Sequence, residues 1–132
     1  MKTYALRLTL GDDLKQSIEK YFEEKNTTAG VILTCVGSVY QLKVRLPDGR
    51  SEYLLRENLE IVSLVGTYSK DGAHLHISCS DIDGKVVGGH LKDGTLINTT
   101  AELVLGELTE LEFSREFDDE TGYDELIVKG IK

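Results

Sequence analysis

The stretch HLHISCSDIDGKVVGGHL, residues 74–91, holds all three histidines of the 132-residue chain beside one tight turn. Side chains alternate across a strand, so in HLHISCS the residues His74, His76, Ser78 and Ser80 share one face while Leu75, Ile77 and Cys79 share the other. Polar and apolar sets separate cleanly, the mark of a strand with one wet face and one packed face. Asp83-Gly84 supplies the turn. With Ile82, Asp83 and Gly84 as a three-residue loop ending on a left-handed glycine, Asp81 stands across from Lys85, Ser78 from Gly88 and His76 from His90. Directly opposed residues have Cβ atoms about 4.5–5.5 Å apart, and His74 becomes the diagonal neighbour of His90 at about 7–8 Å. A two-residue loop of Asp83 and Gly84 alone would set His90 against Ile77 and turn its ring to the other face.

Three neutral imidazoles converging on one face are the donor set of a first-row transition-metal site, with zinc the default ion and copper, nickel or iron the alternatives. Three protein ligands leave a fourth position for water or a ligand. Gly88, opposite Ser78, is expected to leave open space beside the ion, and Gly89 to permit a bulge or close backbone packing. Cys79 falls among core residues and is read as packing, not as a fourth ligand. The competing reading is a hydrogen-bonded polar cluster or a small-anion pocket at a subunit interface.

Working outward, TYALRLTL (3–10) alternates as a strand, and GDDLKQSIEKYFEEKN (11–26) changes period. Leu14, Ile18, Tyr21 and Phe22 recur at helical spacing, with Asp12 or Asp13 placed to cap the helix. From Gly30 on, runs rich in aliphatic and β-branched residues predict an antiparallel sheet: GVILTCVGSVYQLKVRL, EIVSLVGTYS, HLHISCS, KVVGGHL, TLINTTAELVLGEL, LEFSREF and DELIVKGI. Asp-Gly pairs at 48–49, 71–72, 83–84 and 93–94 predict four hairpin turns of the same three-residue kind. The acidic run EFDDETGYDE (116–125) reads as a solvated loop and strand edge.

A chain of 132 residues is expected to form one domain, residues 1–132, around one core. No apolar run approaches the roughly 20 residues of a membrane span, and the N-terminus lacks an export signal, so the expected location is the cytoplasm and no membrane partner is expected. Two cysteines, Cys35 and Cys79, are too few for a disulfide framework, and both are expected reduced. The net charge of −8 argues against direct DNA binding, which depends on lysine and arginine displacing the counterions of the phosphate backbone.

The block EIVSLVGTYSKDGAHLHISCSDIDGKVVGGHLKDGTLINTTAELVLGEL, followed by FSREFDDETGYDEL, resembles the PPC domain, the plant and prokaryote conserved domain. Upstream, RLTLGDDL and AGVILTCVGSVYQLKVRL are similar to its opening strand, helix and following hairpin. The resemblance implies an α+β fold with a mostly antiparallel sheet, one principal helix near the N-terminus and assembly as a homotrimer. It also implies a metal carried on the histidine cluster, which here is His74, His76 and His90. Plant members place the domain after an AT-hook that grips the minor groove, whereas this chain has no Arg-Gly-Arg-Pro core.

The expected function is therefore a trimeric, regulatory or DNA-associated binding module without an AT-hook. It would hold a transition metal, zinc by default, and accept a protein partner or small ligand at the metal. The alternative is a metal-dependent enzyme, a hydrolase or lyase, using the open coordination position. Glu102, in NTTAEL, is its candidate general base, because Asp83 is explained by its turn and Asp81 by the end of the hairpin. Arg7, Arg45 and Arg115 are read as ion-pair partners or phosphate contacts. Cupin chemistry fits poorly, since 13 residues separate His76 from His90 and no glutamate follows the pair.

Overall fold

The computed structural model describes residues 1–131. Strand β1 (Lys2–Thr9) leads into helix α1 (Leu14–Glu24), followed by β2 (Gly30–Arg45), β3 (Glu52–Leu55), β4 (Leu59–Ser69), β5 (Gly72–Ser80), β6 (Val86–Leu91), β7 (Leu96–Glu107), β8 (Leu111–Phe117) and β9 (Asp124–Gly130). Seven strands form one antiparallel sheet in the order β1-β7-β2-β4-β5-β6, with β3 on the far end of β2, and β8 and β9 form a separate hairpin. The α+β class expected from the sequence is what the chain adopts. Strand β3 stands outside the runs recognised in the sequence, because EYLL has no buried member to impose a pattern.

Helix α1 forms where its apolar period begins. Asp13 is the N-cap, its Oδ1 accepting from the Gln16 N–H at 3.0 Å, and Leu14, Ile18 and Phe22 are fully buried. The same Asp13 carboxylate accepts from the Gly94 N–H at 2.7 Å, so the cap also ties the helix to the loop before β7. Asp13→Ala removes both bonds and is expected to cost about 1–2 kcal/mol in chemical denaturation. Further along the helix, Phe22 stacks on Tyr68 with ring centroids 4.8 Å apart, and Glu19 Oε2 accepts from the Ala73 N–H at 2.9 Å. That second bond anchors β5 one residue before His74.

Three register shifts in the pairing of β2 with β7 bend this 16-residue strand, letting it serve several partners. Its far end pairs with β6 at Val44↔Leu91 and Arg45↔His90, while its near half pairs with β4. The strands β2, β4, β5 and β6 thereby close into a ring. Inside lie Leu42, Val44, Leu75, Ile77, Cys79 and Leu91, each 3% exposed or less.

All four Asp-Gly glycines have positive φ, as their turns require, but the turns differ. Residues 82–84 make the expected three-residue loop, with the Gly84 N–H donating to the Asp81 carbonyl at 3.0 Å. Ser69 pairs with Gly72, leaving only Lys70 and Asp71 as loop, and the turn after Leu46 closes onto Ser51. The fourth turn is no hairpin: β6 and β7 lie end to end along the same edge of β2, and residues 92–95 pass the chain between them. Local turn chemistry is the same in all four; the bend in β2 decides what the last one joins.

Candidate metal centre

Within the β5–β6 hairpin the register is Ser80↔Val86, Ser78↔Gly88 and His76↔His90, the alignment the three-residue loop demands. Asp81 fixes it, since its Oδ1 accepts from the N–H groups of Asp83 and Lys85, both at 2.9 Å. Cross-strand partners share a face, so Val65, His76, His90 and Arg45 form one row across β4, β5, β6 and β2. Thr67 and His74 begin the adjacent row. The three imidazole centroids lie 5.1, 5.2 and 5.7 Å apart, and the rings offer one nitrogen each within 4.8 Å of one another.

Tetrahedral zinc–nitrogen bonds of about 2.0–2.1 Å separate the nitrogens by about 3.4 Å, so closing on an ion needs only small side-chain rotations. His74 and His76 are exposed and free to make them, while His90 is half-buried. One more atom bears on the site. His90 Nδ1 is buried with no hydrogen-bond partner, a condition that coordination or a bound ligand relieves. Burial and then the Arg45 guanidinium push His90 down to about 4, and burial followed by Arg115 lowers His74, with Glu125 acting the opposite way. Both rings are therefore neutral at pH 7, the state a metal ligand needs.

These lowered values set a pH dependence. A histidine whose folded pKa lies below its unfolded value binds protons preferentially in the unfolded chain, so stability falls as pH drops from about 6.5 towards 4. Metal-free protein is expected to lose denaturation midpoint across that window, and His90→Gln to lose less. An equal loss in the variant would contradict it.

Around the histidines opens a cavity of about 1060 Å³. Its walls include Arg45 from β2, Asp71 from the β4–β5 turn, Arg115 from β8, Tyr123 from the β8–β9 turn, and Asp124 and Glu125 from the start of β9. The β8–β9 hairpin thus overhangs the site, held by the Arg115 N–H donating to Asp71 Oδ2 at 2.9 Å. Gly88 lines the cavity for a different reason than the expected open space: a Cβ there would run into the Ile77 carbonyl and lie 2.8 Å from the Ser78 Cα. Its hydrogen lets β6 press against β5. Gly89 is close-packed as expected, its missing Cβ only 2.7 Å from the Arg45 carbonyl oxygen.

Cys79 is fully buried on the opposite face, and burial pushes its thiol and that of Cys35 up to about 12; both are free thiols. Glu102 is exposed on β7 opposite Arg7 and Val36 and does not line the cavity. Arg7 donates to Thr100 Oγ1 at 2.9 Å and likewise stands apart. The sequence reading missed Tyr123 and Glu125, which belong to an acidic run with no local sign that it folds back over a cavity. Among the described residues no helix is long and apolar enough to cross a membrane.

Residues 1–109 match the Plants and Prokaryotes Conserved (PCC) domain, also written PPC. The chain is 45% identical over 131 residues, 99% of its length, to the bifunctional protein GlmU of Synechococcus sp. strain JA-3-3Ab, but spans only 21% of that protein. A solved structure of a hypothetical protein from Salmonella is 36% identical, covering 98% of this chain and 94% of that one, with a TM-score of 0.95. A metal-containing protein from Archaeoglobus fulgidus is 30% identical, covering 96% and 94%, with a TM-score of 0.79.

Proposed function

The chain belongs to the Plants and Prokaryotes Conserved domain family, and from that premise we propose that it is a metal-binding module whose ion sits on His74, His76 and His90. One observation carries this reading: three imidazole nitrogens within 4.8 Å of one another on one face, one ring bearing an orphaned buried nitrogen. All-imidazole donors suit zinc first among available ions. The metal-containing relative from Archaeoglobus supports the assignment. When bound, the ion would supply a Lewis-acid position open to a partner or small ligand. Elemental analysis of purified protein is expected to find about one first-row metal per chain, and less than a tenth of that would overturn the reading.

Assembly as a homotrimer belongs to the same proposal. Leu33, Val36, Val62 and Val65 stand 45% to 55% exposed on β2 and β4, apolar surface that a second copy would cover. Val65 pairs with His76, so such an interface would run beside the metal. Light scattering should return three times the 14.7 kDa chain mass. Direct DNA binding is no part of this proposal, because the net charge of −8 opposes phosphate contact.

The cavity favours a second reading, a metal-dependent hydrolase or lyase. Its general base would be Glu125, which lines the cavity and whose charge acts on His74, in place of Glu102. A panel of ester and phosphoester substrates against wild type and Glu125→Gln tests it.

A further inference from the structure

The geometry points to a ligand class for this cavity: we propose that it binds a small organic monocarboxylate, its carboxylate head between the histidine cluster and the guanidinium groups of Arg45 and Arg115. The body of the ligand lies against Tyr123, Leu46 and Pro47. The proposal rests on the metal reading for the fourth coordination position and on the two arginines for the rest.

Both arginines are placed by register. Arg45 ends the row that contains His76 and His90, and Arg115 reaches the neighbouring row, its Nη2 donating to Thr67 Oγ1, the cross-strand partner of His74, at 3.4 Å. Arg45 Nε is buried without a hydrogen-bond partner, an unmet donor on the same row as the orphaned nitrogen of His90. Among the described residues neither guanidinium comes within ion-pair distance of a carboxylate, although Asp71, Asp124 and Glu125 line the same cavity. The positive field of both reaches the histidines, since Arg45 acts on His90 and His74, and Arg115 on His74. A guanidinium presents a planar fork that matches a carboxylate.

Charge and volume narrow the class. The two guanidinium groups call for an anion, and a carboxylate carrying an organic body also covers the apolar walls, which inorganic phosphate cannot. At about 1060 Å³ the space exceeds a bare ion and reaches the size of small-molecule sites, about 300–1,000 Å³. Its apolar walls include Leu46, Pro47 and Ala73, and the Tyr123 ring stands 6.0 Å from the Arg45 guanidinium carbon. Arg115 and Tyr123 lie beyond residue 109, where the family match ends.

Cobalt(II)-loaded protein provides the test, because its visible spectrum reports the coordination shell before and after a ligand is added. Benzoate should bind by calorimetry and shift the spectrum, with benzyl alcohol silent and inorganic phosphate weaker. Arg45→Gln and Arg115→Gln should each weaken benzoate at least tenfold while cobalt binds no more weakly than in wild type, since removing a positive charge beside the histidines does not disfavour a cation. Cobalt bound with no response to benzoate overturns the proposal and leaves the metal reading standing. Equal binding of benzyl alcohol, tighter binding of phosphate, or full affinity in both arginine variants overturns it too. A chain that takes up no cobalt fails the metal reading first. Benzoate titrated into the metal-free chain then decides the anion site, upheld by an arginine-dependent heat and ended by its absence.

Discussion

His90→Ala is expected to lower zinc affinity by at least about a hundredfold, since losing even a group that merely orients a ligand costs 10–100-fold and His90 would be a ligand itself. It is the half-buried member of the trio, set between His76 on β5 and Arg45 on β2, and its Nδ1 has no hydrogen-bond partner. His74 and His76 alone leave two donors on one strand, a poor grip for an ion that prefers three or four. Ser78→Ala, on the same face, is the control and should change affinity less than tenfold. Competition against a chromophoric chelator measures both. An alanine variant with wild-type affinity would remove His90 from the site.

A large loss of stability is expected from Gly88→Val. Any side chain at 88 meets the Ile77 carbonyl and the Ser78 Cα of the facing strand, and the obstacle is backbone, which cannot rotate away. Overpacking of this kind costs about 2–3 kcal/mol, which in a chain of this size lowers Tm by roughly 6–15 °C. Parting β5 from β6 also breaks the His76↔His90 alignment, so the variant should lose zinc affinity along with stability. Gly130→Val, where a Cβ meets open space, should stay within about 0.5 kcal/mol of wild type. A Gly88 variant as stable as the Gly130 variant would show that the two strands do not need their close approach.

The histidine hairpin was legible because three local signals agreed: the alternation of HLHISCS, the Asp-Gly loop, and the one-residue difference that would send His90 to the wrong face. The helix was equally plain from Leu14, Ile18 and Phe22 and the Asp13 cap. What the sequence did not carry was long-range. The bend in β2 that brings Arg45 beside His90 comes from register shifts against β7, half a chain away. For the same reason the 93–94 turn looked like a hairpin. Gly88 was read for the space it leaves around an ion, when its role is the contact it permits between two backbones. The acidic run was read as solvated, which holds for Asp119 to Thr121, while Tyr123 to Glu125 line the cavity. Arg45 and Arg115 were noticed only as charges, because nothing in their local patterns shows that two separate strand ends meet over one pocket.

X-ray absorption of the zinc-loaded protein addresses the site most directly, because it reads the atoms bound to the ion. Three imidazole nitrogens at about 2.0–2.1 Å and one further oxygen ligand are expected, with the imidazole scattering reduced by one ring in His90→Ala. A shell of oxygen or sulfur alone, or one unchanged in that variant, would place the ion elsewhere and contradict the three-histidine centre.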